Sequence, residues 1–302
     1  MTAGAWSARS LLGKALGPRM AVRAKTTATT AVLLVAAACV LIPIYWLVVA
    51  SSKDTSQLFS TNTFLPSHLS WAANFSSLFS YESGDYKWWL MNSFIYSSVT
   101  ATLATVVSTM AGYGLAKYEF GGRRAALGLV VGSLMVPATA LVVPLFLLEH
   151  FMGLTDSYQG VILPLIVYPF GVYFMSIYAA EAVPDALIES ARIDGAGEFK
   201  ALWKIGRPIL LPGMATLFLL AFIATWNNYF LPLVLLGTET RFPLTVGLSA
   251  WAATLNEVGA GQPLYSNLIL GSLISVLPML VLFPFLQRYV ARGLTFGAIA
   301  GE

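Results

Sequence analysis

Residues 31–50, AVLLVAAACVLIPIYWLVVA, carry no charged side chain and are about as long as a helix must be to cross the hydrocarbon of a bilayer. Similar runs follow at 88–116, 125–148, 158–180, 209–236 and 266–289. A soluble core would not accommodate this much apolar surface. Of 302 residues, 57% are hydrophobic and 10% charged, and the mean hydropathy is +0.74. The sequence predicts an all-α polytopic membrane protein of six transmembrane helices, the first of them too long for a signal-peptide core and therefore retained. Pro137 and Pro144 in the third run, and Pro164 and Pro169 in the fourth, predict kinked helices whose freed carbonyls need neighbours. The second run is rich in Ser, Thr, Ala and Gly, which favours close helix approach.

Basic residues orient these spans. With both termini inside, Arg9, Lys14, Arg19, Arg23, Lys25, Lys117, Arg123, Arg124, Arg192, Lys200, Lys204, Arg207, Arg288 and Arg292 lie on the inner side, 14 of the 17 in the chain. Lys53, Lys87 and Arg241 fall outside, the asymmetry expected of cytoplasmic ends. The expected organisation is a basic cytoplasmic arm (1–30), a first span (31–50), an external loop (51–87), a five-helix core (88–290) and a cytoplasmic tail (291–302). A further external loop is expected at 237–265.

One segment inside the core is unlike the rest. Nine of the 27 residues from 181 to 207 are charged, so the stretch EAVPDALIESARIDGAGEFKALWKIGRP at 181–208 must lie outside the hydrocarbon. Its pattern is helix, turn, helix. Pro184 suits a first helical turn, Asp185 and Glu189 favour an N-terminus, and Leu187, Ile188 and Ala191 recur on one face. Gly195 stops this helix, after which Phe199, Leu202, Trp203 and Gly206 repeat at helical spacing and Pro208 ends or bends the second helix.

Two short amphipathic helices around Asp194-Gly195-Ala196 resemble the cytoplasmic coupling loop of binding-protein-dependent ABC importer permeases. That family carries Glu-Ala-Ala, three residues, Gly, nine residues, then Ile-x-Leu-Pro. Here Glu189, Ser190 and Ala191 are followed at matching distances by Gly195, Ile205 and Pro208, with Ser190 and Arg207 departing from the pattern. The likeness continues through Trp89-Leu90-Met91-Asn92-Ser93, Ala111-Gly112-Tyr113-Gly114-Leu115-Ala116, Met135-Val136-Pro137, Gly160-Val161-Ile162-Leu163-Pro164 and Trp226-Asn227-Asn228, which are similar to the sugar-importer branch. The tail Arg292-Gly293-Leu294-Thr295 is similar to that of maltose-type permeases.

The resemblance implies a multi-pass protein of the bacterial cell membrane that pairs with a second, homologous permease. It also implies two ABC ATPase subunits that hold ATP and Mg, and an extracytoplasmic solute-binding protein delivering a sugar or oligosaccharide. Nucleic acid has no part in this. The ATPase-coupling residues carried over are Glu189, Ala191, Asp194, Gly195, Ala196, Ile205 and Pro208. Glu189 and Asp194 are expected to offer charged contacts and Ala191 to keep the approach close, while Phe199, Leu202 and Trp203 brace the loop against the spans. Polar groups within spans often face a cavity, so Asn92, Trp226, Asn227 and Asn228 are candidates for the solute pathway, with helix-to-helix bonding the equal alternative.

Other chemistries find little support. The chain has no G-x-x-x-x-G-K-[ST] phosphate loop and no G-x-S-x-G elbow, and its two histidines, His68 and His150, form no metal-binding cluster. No cofactor and no catalytic residue is therefore expected in this chain. Cys39, the single cysteine, excludes an internal disulfide. A self-sufficient secondary transporter would need coupling charges or unwound segments at mid-membrane, and the spans contain almost no ionisable residues. A membrane-embedded glycan- or lipid-modifying enzyme would have to rely on the external acidic pair Glu82 and Asp85.

Overall fold

The structure, a computed structural model, describes residues 18–258 and 264–299. Every regular element among them is helical. The chain divides into two compact units, residues 1–71 and 72–302. In the first, α1 (Pro18–Ser51) begins well before the expected first span and contains Pro43. A reciprocal capping box between Asp54 and Gln57 starts α2 (Thr55–Ser60), where the Gln57 N–H donates to Asp54 at 2.9 Å.

The second unit begins within α3 (Trp71–Ser80), so the expected loop at 51–87 holds two short helices. It continues with α4 (Asp85–Lys117), α5 (Arg123–Ser133), α6 (Val142–Phe151), α7 (Tyr158–Ile166), α8 (Pro169–Ala182), α9 (Asp185–Ile193) and α10 (Glu198–Ala201). A π-turn at Leu202–Gly206 joins α10 to α11 (Arg207–Trp226), which is followed by α12 (Phe230–Leu235), α13 (Leu244–Val258) and α14 (Leu264–Ile299). Five stretches are long and apolar enough to cross a membrane: Thr26–Ser51, Trp71–Lys117, Tyr158–Ala182, Glu198–Trp226 and Leu264–Leu282. A sixth candidate among the described residues is a pair of helices, Arg123–Ser133 and Ala138–Phe151, bent by 96°.

Proline position explains where the expected spans are interrupted. Pro137 has no N–H and follows a last turn already tightened to i−3 bonds, Leu134 to Val131, Met135 to Gly132 and Val136 to Ser133. With ψ at 125° it turns the chain, whereas Pro144 sits harmlessly in the first turn of α6. The fourth run breaks at Val167 and Tyr168, ahead of Pro169. The fifth is displaced: its helix starts at Glu198 and ends at Trp226, and residues 227–229 separate it from α12. The loop expected at 237–265 contains α13, and α14 runs through the expected tail as far as Ile299.

The core forms around α4. Ser93, Ser97, Thr100, Ala101, Ala104, Thr105, Ser108 and Gly112 make a buried stripe of small residues down this helix. A Cβ on Gly112 would come within 2.7 Å of the Met175 side chain and the Ser176 backbone, and one on Gly171 within 2.6 Å of the Ser108 hydroxyl. Helices α4 and α8 thus cross at glycine-limited distance. Tyr113, Met175, Leu210 and Leu217 fill one end of the bundle. Tyr86, Trp89, Trp226, Trp251 and Leu270 fill another region, with Trp89 and Trp251 centroids 4.7 Å apart.

Gly112→Leu should cost about 1–3 kcal/mol or more, because the opposing atoms are partly backbone. Gly128→Leu is the control, since a Cβ there meets nothing within 4 Å. Thermal unfolding in detergent should separate them, with the Gly112 variant melting lower and the control near the parent.

Candidate functional site

The charged segment is a hairpin built against one end of the bundle. Pro184, at φ −64° and ψ 133°, caps α9 from outside the first turn. Asp185 opens α9 and accepts from Lys117 Nζ at 2.8 Å, an ion pair joining the hairpin to the last turn of α4. The hydrogen bond and charge of Lys117 hold the Asp185 carboxyl below its usual value. Lys117 Nζ also donates to Ala180 O at 3.3 Å, a carbonyl near the end of α8.

The turn has a defined backbone chemistry. Gly195 sits at φ +76°, its N–H donates to Arg192 O at 3.0 Å, and the Ala196 N–H reaches back to Ala191 O at 2.9 Å. This is a Schellman motif, which requires a residue tolerant of the left-handed region at Gly195. Across the turn Arg192 clasps Glu198 with two bonds, Nε to Oε1 at 2.8 Å and Nη2 to Oε2 at 3.2 Å. Those bonds, followed by one from the Tyr118 hydroxyl, lower the Glu198 carboxyl. Being exposed, the pair contributes geometry more than stability.

Burial sorts the expected coupling residues into two sets. Glu189, Asp194 and Gly195 are exposed at the tip, Ala196 is half-buried and Pro208 is exposed further on. Ala191 is only 4% exposed and turns inward beside Ile188, and Ile205 packs against the Tyr113 cluster. Ala191 therefore cannot form part of an outer contact surface. Its small size lets α9 lie close to its own bundle. Of the three bracing residues, only Leu202 is buried. Phe199, 65% exposed, stacks parallel on Trp203 at 6.0 Å, and Arg207 lies over Trp203 at 4.8 Å. With Leu187 and Ile193 also exposed, the hairpin presents an apolar and charged face of its own.

Pro208 neither ends nor sharply bends the second arm. Arg207 N–H donates to Leu202 O, five residues back, and this wide turn leads the helix into a segment where Pro208 has no hydrogen to give. The arm and the span are consequently one helix, Glu198–Trp226.

The pathway candidates do not form one constellation. Asn92 is fully buried, donating to Thr240 O at 2.8 Å and Phe242 O at 3.1 Å and accepting from the Tyr158 hydroxyl at 2.7 Å. It is spent on holding the chain together and is unavailable to a solute. Trp226 is buried too, its indole donating to Ser275 O at 3.3 Å. Asn227 and Asn228 lie together in the break after α11. Asn227 is exposed and caps Ile223 O at 2.9 Å, and Asn228 O accepts from the Thr245 hydroxyl at 2.7 Å. The acidic loop is structural as well, since Glu82 accepts the Trp251 indole N–H at 2.8 Å.

A polar clasp at the other end escaped the sequence reading. Segment 237–244 is stitched to α4 through Trp89 to Glu239 O, Asn92 to Thr240 O and Phe242 O, Tyr96 to Arg241 O and the Leu244 N–H to Ser93. From the 152–157 loop, Asp156 accepts from the Gly237 and Thr238 N–H groups, the Thr238 hydroxyl and Arg241. Partial burial opposes ionisation of Asp156, but the Thr238 hydroxyl, the two N–H groups and Arg241 outweigh it and hold the carboxyl below its usual value. Two signals were present in the sequence: Asp156 ahead of the N-capping Ser157, and Arg241 as an isolated external cation.

The family model described as "binding-protein-dependent transport system inner membrane component" matches residues 104–296, more than half of the chain. The arabinooligosaccharides transport system permease protein AraQ of Bacillus subtilis is 38% identical over 264 residues, covering 86% of this chain and 91% of AraQ. The trehalose transport system permease protein SugB of Mycobacterium tuberculosis is 32% identical, covering 86% and 93%. A crystal structure of a bacterial ABC transporter involved in import of the acidic polysaccharide alginate contains a chain of the same fold, with a TM-score of 0.77, 24% identity and coverage of 88% and 96%. The chain belongs to the family of inner-membrane components of binding-protein-dependent transport systems. It is a multi-pass permease subunit of an ABC importer.

Because the depressed Asp156 carboxyl supports the clasp in its ionised form, that support is present above the ordinary value of 3.8 and fades as pH falls through the lower folded value. Asp156→Ala should remove it at every pH. Hydrogen exchange at the Gly237 and Thr238 amides should then be fast at neutral pH, whereas the parent keeps both amides protected until the medium is strongly acidic.

Proposed function

We propose that this chain, together with a second homologous permease, forms the translocation pathway of a sugar or oligosaccharide importer and is coupled to two cytoplasmic ATPase subunits through the 181–208 hairpin. Both termini face the cytoplasm, and an extracytoplasmic binding protein delivers the solute. ATP and its magnesium belong to the ATPase subunits. The sugar assignment is supported by AraQ and SugB, whose names give arabinooligosaccharides and trehalose.

The observation that carries the coupling role is the hairpin itself: a rigid Schellman turn with exposed Glu189, Asp194 and Gly195, tied at its base by Lys117 to Asp185 and continuous through its second arm with a spanning helix. A force applied at such a tip reaches the bundle without passing a flexible loop. Leu187, Ile193 and Phe199 supply apolar contact area, and Glu189 and Asp194 supply charge for registering a partner. Among the pathway candidates, Asn227 at the break after α11 is the side chain left facing outward, and it is the best remaining candidate for solute contact.

Gly195→Val places a branched side chain at φ +76°, with a local cost of about 1–2 kcal/mol and roughly a tenfold shift away from the native turn. A Cβ at this site meets nothing within 4 Å, so insertion and subunit abundance should persist. Uptake of labelled oligosaccharides should fall about in step with the turn. Unchanged uptake at normal abundance would remove the coupling assignment.

A further inference from the structure

Two consecutive residues at the end of α4 reach both arms of the hairpin. Lys117 Nζ holds Asp185, the first residue of α9, at 2.8 Å. The Tyr118 hydroxyl donates to the carboxylate of Glu198, the first residue of α10. Each arm is therefore gripped where it begins, by neighbours in the chain.

Tyr118 owes this reach to its backbone. Its N–H still donates to Gly114 O at 3.2 Å, closing the last turn of α4, while φ −113° and ψ 138° turn the residue out of the helix. Two groups then orient its ring. The buried Tyr113 ring meets it edge to face, with centroids 5.8 Å apart, and the Arg192 guanidinium lies over it at 5.9 Å from the centroid. Arg192 also clasps Glu198 through two bonds. Tyr118, Arg192 and Glu198 thus close a triangle across the turn, in which every member interacts with the other two.

The triangle is placed to set an angle rather than to hold the fold. Arg192 and Glu198 are exposed and Tyr118 is half-buried, so water competes for their bonds and they add little to stability. Through α11 the second arm already reaches one helix of the bundle. The triangle adds α4, the helix that crosses α8 at glycine-limited distance.

We infer that Tyr118 is a positioning residue for coupling: its hydroxyl, with Arg192 over its ring, sets the angle of the hairpin on α4, so that a displacement of the tip is passed to α4 as well as to α11. This rests on the reading of the hairpin as the ATPase-coupling element and adds a second route from it into the bundle.

The test uses the full chain assembled with its companion permease and ATPase subunits, in a Cys39→Ser background with no reactive cysteine in the companions. Spin labels go on Gly121→Cys, beyond the end of α4, and Gly197→Cys, beside Glu198, since a Cβ at either place meets nothing within 4 Å. Dipolar spectroscopy should give one narrow distance that ATP leaves unchanged. Tyr118→Phe keeps the ring and both ring contacts, so the distance should spread while subunit abundance and melting temperature match the parent. Glu198→Ala should spread it alike, and the double variant no further than either single one. In vesicles supplied with the binding protein, ATP hydrolysed per labelled arabinotriose imported should rise about two- to fivefold in Tyr118→Phe, the range over which one exposed bond of this kind shifts an equilibrium. The inference is overturned by a parent distance that shifts with ATP, by a Tyr118→Phe variant that keeps the parent's distance or its ratio of ATP to sugar, or by additive spreading in the double variant. If the parent hydrolyses ATP but imports no arabinotriose, that solute is excluded and the distances alone decide. Absence of ATPase subunits from the purified complex overturns the coupling reading itself, and the inference with it.

Discussion

Hydrocarbon offers no hydrogen bonds, and most of this structure follows from that deficit. At two of the breaks in the spans, a side chain from another helix answers for the exposed backbone. The hydroxyl of Ser108 does so at Tyr168, and the hydroxyl of Thr245 at Asn228. The Ser, Thr and Gly stripe of α4 brings helices together, and two of its hydroxyls, Ser93 and Ser108, also meet backbone groups of other segments. The clasp on segment 237–244 extends the same logic to an irregular stretch, whose carbonyls are met by Trp89, Asn92 and Tyr96.

The hairpin obeys the opposite rule. Its tip lies among charged residues in a setting where water can satisfy what the protein does not, so a glycine in the left-handed region and an exposed ion pair suffice to define it. Rigidity comes from inward-turned Ile188, Ala191 and Leu202, all buried in the Tyr113 cluster or beside it. The exposed tip is thereby presented from a firm base.

Much of this could be read from the residues alone. Charge density isolated 181–208, and the Asp194-Gly195-Ala196 turn was legible because its backbone chemistry depends on one residue type. The small-residue character of the second span likewise pointed to close helix approach along it. What stayed hidden depends on partners distant in sequence. Pro137 and Pro144 look alike in an apolar run, yet only Pro137 breaks it, since Pro144 falls in a first turn that needs no N–H. Asn92 resembled a pathway amide until Thr240, Phe242 and Tyr158 were seen to occupy it. Trp203 had the periodicity of a packed residue, but it is exposed, with Phe199 stacked on its ring and Arg207 lying over it.

The stretch Glu198–Trp226 joins the hairpin to the break at Asn227 as one rod. Its 29 residues measure about 43 Å, so a tilt of roughly 5° at the hairpin sweeps the far end near Asn227 sideways by about 4 Å, a distance comparable to the width of a sugar ring. The π-turn at Leu202–Gly206 is where this rod departs from regular winding, and it lies close to the hairpin rather than at mid-length. Beyond that turn the helix Arg207–Trp226 carries on to the break at Asn227.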